Sequence, residues 1–316
     1  MLDAMPNADG VPELSLAVIA SGSSGNASVL RVRDQCGAVH FFAIDAGLSP
    51  RRTFAAHREL GVSSLAGVLL THLDSDHWHS GWPGVLPLGT CVHVHQGHLG
   101  RAGRMGATYA RTNVLAGNTM KGKGSGKRDA EEGSFELVPG VVVRWMLSDH
   151  DESGSVTYRF DHACGASVGY ATDLGRVHRQ HEALLAGVSV LAIESNYCPH
   201  LQRESDRPQF LKDRVTGGYG HLSNEQSAAL VRAVNPQGCV VLLHLSEQCN
   251  TPERALSHHA HAVPVLVTGR HVGTGWVAAS ASSRPERPRP HVIVRSVQQE
   301  LWEVGSRAEE QVVKSE

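Results

Sequence analysis

The chain has no CxxC pair and no close cysteine spacing; its six cysteines, Cys36, Cys91, Cys164, Cys198, Cys239 and Cys249, are scattered along it. That excludes a thiolate zinc finger and a dithiol redox motif. Cys239 precedes Val240-Val241-Leu242-Leu243, a strand-like run in which a thiol serves as a small hydrophobe. No apolar run approaches the roughly 20 residues that span a bilayer, so no membrane is expected as a partner. The start, Met1-Leu2-Asp3-Ala4-Met5-Pro6, lacks the basic segment and apolar core of a secretory signal. A reducing cytoplasm is the expected compartment. Surplus charge is missing too: a formal net charge of -2 gives no overall attraction to a polyanion, although a local patch can still supply one.

What remains is an ordinary globular composition, 41% hydrophobic and 19% charged over 316 residues, enough for a large core in one or two domains. Histidine stands out at 20 residues. Its densest use is Thr71-His72-Leu73-Asp74-Ser75-Asp76-His77-Trp78-His79-Ser80-Gly81, which packs two imidazoles and two carboxylates into the six positions 72–77. All four side chains are competent ligands for a divalent ion. The apolar run Gly67-Val68-Leu69-Leu70 leads into them and reads as a buried strand delivering polar residues to a loop. The reading is a metal site; a merely polar loop is the alternative.

Strands are expected over 16–20 and 27–32, flanking the small-residue turn Ser21-Gly22-Ser23-Ser24-Gly25-Asn26. That turn suits a hairpin or, less specifically, a phosphate cradle without the lysine and helix of a P-loop. A third strand, 39–44, ends at Asp45-Ala46-Gly47, and a helix over 51–60 follows. In Cys91-Val92-His93-Val94-His95 the two histidines share a face, as ligands or as the polar side of a strand. Residues 101–128 carry Arg101, Arg104, Arg111, Lys121, Lys123, Lys127 and Arg128 with no acidic residue among them. They read as a phosphate-binding surface or as a solvated loop balanced by Asp129, Glu131 and Glu132, with a mobile glycine-rich part over 117–126.

Further strands are expected at 141–147, 156–160, 167–171, 188–193 and 239–243, with helices over 177–186, 225–233 and from Thr251-Pro252-Glu253. Several of these strands end in a residue suited to metal or proton chemistry: Asp45, His72, His150, Asp173, Glu194, His244. After about residue 280, Pro285, Pro288 and Pro290 exclude a helix interior or central strand. The expected organisation is a lead-in over 1–14, a main domain over 15–280 with a glycine-rich basic insert at 101–135, and an extension over 281–316.

Thr71-His72-x-Asp74-x-Asp76-His77 resembles the HxHxDH signature of the metallo-β-lactamase superfamily. Its YycJ/WalJ-like branch is resembled also by Ser21-Gly22-Ser23-Ser24-Gly25-Asn26, Asp45-Ala46-Gly47, Thr172-Asp173-Leu174-Gly175, Glu194-Ser195-Asn196, Gly220-His221-Leu222-Ser223-Asn224 and His244-Leu245-Ser246. The resemblance implies an α/β fold, an αββα sandwich of two mixed sheets with outer helices, and two divalent ions, Zn²⁺ or Mn²⁺. By the resemblance His72, Asp74 and His150 hold one ion and Asp76, His77 and His244 the other, with Asp173 between them. His221 and Glu194 resemble a proton-transferring pair, and Asp76 is counted with them as catalytic. Ser23, Asn26, Asn224, Lys121 and Lys123 are the expected substrate contacts. The chain departs from the signature at Asp74, where histidine is usual; a carboxylate there favours harder ions such as Mn²⁺. The implied activity is a phosphodiesterase, a 5′-3′ exonuclease on DNA. The alternatives are an ester, thioester or lactone hydrolase, and a metal-stabilised regulatory protein without turnover.

Overall fold

Alternation of side chains decides how the strands stack. The computed structural model describes residues 13–87, 89–120, 130–260 and 263–281. In β1 (Leu14–Ala20), Leu14, Leu16 and Val18 face one way, and β2 (Ala27–Arg33) and β3 (Val39–Ile44) keep the same period. The Gly-Ser turn joins β1 to β2 as an antiparallel hairpin. Helix α1 (Pro50–Glu59), capped by Ser49 and opened by proline, leads to β4 (Gly67–Leu69), which runs parallel to β3. Parallel pairing continues through β5 (Cys91–His95) and, past α2 (Leu99–Arg104), β6 (Arg111–Leu115).

The second half repeats that plan. β7 (Asn118–Met120), β8 (Ala130–Val138), β9 (Val141–Ser148), β10 (Ser155–His162) and β11 (Ser167–Ala171) pair antiparallel. After α3 (Arg179–Leu185), β12 (Val190–Glu194) lies parallel to β11. Then come α4 (Pro199–Glu204), α5 (Gln209–Thr216), α6 (Asn224–Val234), β13 (Cys239–Leu243), α7 (Pro252–His258) and β14 (Val265–Val267), with the strands again parallel. β15 (Val277–Ala279) returns to β1. Among the described residues this makes a seven-stranded sheet, β15-β1-β2-β3-β4-β5-β6, and an eight-stranded sheet, β14-β13-β12-β11-β10-β9-β8-β7.

Leu16, Leu30 and Ile44 of the first sheet share one buried layer with Val143, Tyr158, Val168 and Val241 of the second. The alternate residues face outward. Leu191, Ile193, Val240 and Leu242 pack against Leu185, Leu230, Val231 and Ala255 of α3, α6 and α7. On the opposite side Ala43, Val68 and Val92 pack with Phe54, Trp78, Trp82 and Ala102. The fold is therefore the αββα sandwich, and burial on both faces explains why a parallel strand such as β13 is an unbroken apolar run. No helix among the described residues is long and apolar enough to cross a membrane.

Three regions differ from the sequence-based reading. Within 101–135, α2, β6, β7 and the start of β8 belong to the helical and sheet layers. Glu131 binds Gln96 and the Gly117 amide. The polar connection after Asn196 forms α4 and α5, of 6 and 8 residues, too short for an apolar period to repeat. His93 and His95 are neither ligands nor a polar face. Both are buried, His93 stacked on Phe135 at 5.0 Å between rings and His95 beside Trp145. The lead-in over 1–12, Lys121, Lys123 and the extension from 282 lie outside the described residues.

Burial pushes the imidazoles of His57, His93, His98 and His181 down to about 4. An unfolded histidine, with a pKa near ~6.5, binds a proton that these folded ones refuse, so stability falls as pH drops from about 6.5 to 4. His77 and His244 are raised, so in the metal-free protein their contribution is already complete below ~6.5 and adds no slope there. Asp45, which burial pushes upward, opposes the four. Thermal melts of the metal-free protein are expected to lose midpoint steadily between pH 6.5 and 5. A midpoint flat to pH 4.5 contradicts this account.

Candidate metal centre

Six strand ends meet at one edge of the sandwich. β3 and β4 run in parallel, as do β11, β12 and β13; β9 shares β11's direction because both are antiparallel to β10. Asp45, His72, His150, Asp173, Glu194 and His244 are thereby delivered to the same place. Asp45, Asp173 and His244 adopt left-handed backbone, with φ of 59°, 55° and 55°. Each such residue costs about 1–3 kcal/mol, a strain that marks functional turns. The loop after β4 is held from below: Asn26 donates its amide to the Asp76 carbonyl at 2.7 Å, and Ala46 donates to that of His77 at 2.8 Å. A Cβ on Gly47 would stand 1.7 Å from the Asp76 carbonyl oxygen, so this approach requires glycine.

Among the described residues the side chains converge in four overlapping groups: His72 with Asp74 and His150, Asp76 with His77 and His244, His72 with His77 and Asp173, and Asp173 with Glu194, His221 and His244. Asp173 lies between the first two, one oxygen 3.1 Å from His77 Nε2, the other 3.6 Å from His244 Nε2 and 4.0 Å from His150 Nε2. Behind them His77 Nδ1 donates to Asp45 at 2.8 Å, and Asp45 also accepts from the Thr71 amide and hydroxyl. His150 Nδ1 donates to the Gly220 carbonyl at 2.9 Å. These contacts fix ring orientation and leave each Nε2 toward the cluster, the support a metal-ligating histidine needs.

Electrostatics favours a cation here. Burial alone would lower His77, but Asp45 and Asp173 outweigh it and raise it well above the ordinary histidine range. His244 is raised to about 10 against the same burial, by Asp173, Asp76 and Glu194. Asp173 is held well below the usual carboxylate range, the surrounding histidines overcoming its burial. Without an ion the carboxylates favour protons on His77 and His244, whereas burial, and then the neighbouring His77, push His72 well below the ordinary histidine range. His244 Nε2 is buried and makes no hydrogen bond, with Asp76 and Asp173 oxygens each 3.6 Å away. Two ligand atoms of one tetrahedral ion stand about 3.4 Å apart, so a divalent ion fits.

The comparisons agree with this geometry. Residues 40–245 match the model of a beta-lactamase superfamily domain, a span holding every side chain of the cluster. The chain belongs to the beta-lactamase superfamily. It has the metallo-β-lactamase fold and is similar in sequence to proteins of the YycJ/WalJ type. It is 26% identical over 246 residues to exodeoxyribonuclease YycJ of Bacillus anthracis, covering 77% of this chain and 86% of that protein. It is 27% identical over 245 residues to exodeoxyribonuclease WalJ of Streptococcus pneumoniae, covering 76% and 84%. Among solved structures, the metallo-beta-lactamase fold protein YhfI from Bacillus subtilis superposes with a TM-score of 0.58 at 12% identity, covering 84% of this chain and 99% of that one. That likeness concerns the fold.

Within this superfamily member the expected substrate contacts separate. Ser23 is exposed and lines a cavity of about 180 Å³ together with Asp76, Asp173, His221 and His244. Asn26 is a correction: it is buried, its carboxamide tied to Gly22 and Ser21, and it braces the metal loop instead of reaching solvent. Asn224 is another correction, fully buried at the start of α6 against Ser195 and Asn250. Sequence reasoning missed Arg214 and Tyr219, which line the approach to the cluster. It counted Arg101 only as part of a basic stretch, whereas Arg101 donates to Asp74 at 2.7 Å. Nothing in the local sequence links positions 27 apart.

Proposed function

We propose that this protein is a cytoplasmic, metal-dependent phosphodiesterase that acts as a 5′-3′ exonuclease on DNA. The observation that carries the reading is the His221–Glu194 pair: His221 Nδ1 donates to Glu194 at 2.6 Å, and its ring stands 5.0 Å from that of His244. The names of the curated relatives, exodeoxyribonucleases, support the substrate class.

Two divalent ions, held by His72, Asp74 and His150 and by Asp76, His77 and His244 with Asp173 shared, would supply water activation and neutralise charge on the phosphate. Asp74 favours Mn²⁺ over Zn²⁺. The chain's own residues do the rest. Water attacks phosphorus and gives up a proton to solvent as the bond to the leaving sugar oxygen breaks, and that oxygen takes a proton from His221 Nε2, which solvent then restores. Glu194 accepts from His221 Nδ1 and fixes the orientation of the ring. Burial would raise its carboxyl, but His221 and His244 hold it ionised below the usual range. Ser23, at the cavity wall, is a candidate contact for the phosphate.

DNA labelled at the 5′ or the 3′ end, incubated with Mn²⁺, Zn²⁺ or Mg²⁺, is the test. Mononucleotide release from the 5′ end is expected. Intact DNA with every ion overturns the reading, and lactone or thioester opening in its place would assign the fold another substrate.

A further inference from the structure

Asp74 is the ligand candidate least committed to the cluster. Its Oδ2 lies 3.8 Å from His72 Nε2, whereas its Oδ1 accepts the 2.7 Å bond from Arg101 Nη1. Both side chains are partly open to solvent, Asp74 at 33% and Arg101 at 42%. A second such pair stands nearby: Arg214 binds Asp151, the residue after His150, through both carboxylate oxygens. Asp74 adds to the field that keeps Arg214 charged, after the direct bond from Asp151.

The two guanidinium groups face one space. A cavity of about 770 Å³ is lined by Arg101, Arg214 and Tyr219, and also by Glu152 and by Asp151, which Arg214 engages. His72, Asp74 and His150 stand in its wall. Those three also line the smaller cavity that holds Asp76, Asp173 and His221, so the two spaces adjoin. One carries the ligand cluster. The other adds Arg101, Glu152 and a half-exposed tyrosine, and Arg214 with its partner Asp151 stands in both walls.

A single carboxylate serves two cations poorly. An ion at His72, Asp74 and His150 must share Asp74 with Arg101, and the two positive charges repel across it. A guanidinium fork matches phosphate as well as it matches carboxylate. A phosphate entering the larger cavity therefore gives Arg101 another partner and returns the whole Asp74 charge to the ion. We propose that the larger cavity is the subsite for the phosphate adjacent to the scissile one, and that this phosphate draws Arg101 off Asp74, so that substrate and the His72–Asp74–His150 ion bind cooperatively. The proposal rests on the phosphodiesterase reading for the nature of its anion. Arg101 acts through Asp74 and is a positioning residue. Linkage makes the effect reciprocal: whatever the anion does for the ion, the ion does for the anion.

Mn²⁺ binding to the full chain, followed by electron paramagnetic resonance of the free ion, tests this without turnover. It is measured alone, with thymidine, and with thymidine 5′-monophosphate, in the wild type and in Arg101→Met. In the wild type, saturating thymidine 5′-monophosphate is expected to lower the dissociation constant of the weaker ion about tenfold, and thymidine to leave it unchanged. In Arg101→Met the weaker ion is expected to bind about tenfold tighter before any nucleotide is added, with less than about a twofold further gain from the monophosphate. A wild-type dissociation constant in Arg101→Met overturns the proposal. So does an equal nucleotide effect in both proteins, which would mean that the phosphate acts by touching the ions directly. The stronger ion reports an intact fold. If it too is lost, Arg101→Lys replaces the variant, with a smaller nucleotide effect than the wild type expected and an unchanged one counting against. Because no cleavage is read, coupling without DNA hydrolysis would sink the phosphodiesterase reading alone, and hydrolysis without coupling would sink this one alone.

Discussion

Asp173→Asn is expected to strip the ions from the centre while leaving the fold intact. Asp173 is the carboxylate that lies within 4.0 Å of a ring nitrogen of His77, His150, His221 and His244. The amide keeps its volume and removes its charge, so every attraction that holds positive charge at the centre weakens together. Losing even a supporting partner of a metal ligand costs about 10–100-fold in affinity. Losing the shared carboxylate should therefore cost at least about 100-fold and leave DNA hydrolysis undetectable. Metal analysis after desalting is expected to find two ions per chain in the wild type and at most one in the variant. The raised pKa of His244 should fall at the same time, visible in its imidazole NMR titration without metal. Two retained ions with wild-type turnover would remove Asp173 from the centre.

His221→Ala separates proton delivery from everything else the site does. A sugar oxygen leaves as an alkoxide and needs a proton, and general acid catalysis contributes about 10²–10⁴-fold. The turnover number on DNA is expected to fall by that factor. On bis(p-nitrophenyl) phosphate, whose nitrophenolate leaves unprotonated, the loss should stay below about tenfold. Glu194→Gln should move in the same direction by about 10–100-fold on DNA, since it removes the charge that orients and stabilises the ring. Equal losses on both substrates would make His221 a ligand or a structural residue rather than a proton donor.

Much of the architecture was legible because its signals are local. The strands 239–243 and 167–171 stand where expected, and Thr251 and Ser223 cap the helices they precede. The polar residues named at strand ends lie together because parallel strands must finish on one edge. What could not be read depends on contacts between distant positions. Asn26 and Asn224 look like substrate donors in a motif, yet packing buries both, and only the folded chain shows their carboxamides already engaged. The Arg101–Asp74 and Arg214–Asp151 pairs join residues from separate elements with no pattern announcing them. Helices α4 and α5 escaped because each presents too few turns for an apolar face to show.

The cluster takes His72, Asp74, Asp76 and His77 from the end of one sheet's strand and His150, Asp173 and His244 from the other sheet. A bound ion is thus a staple between the two sheets as well as a reagent. It joins the end of β4 to the end of β13 in the folded state alone, and so stabilises the fold by mass action. The same geography has a biosynthetic meaning. Neither half of the sandwich carries the whole cluster, so a growing chain bears only a fragment of the centre until β13 emerges and docks.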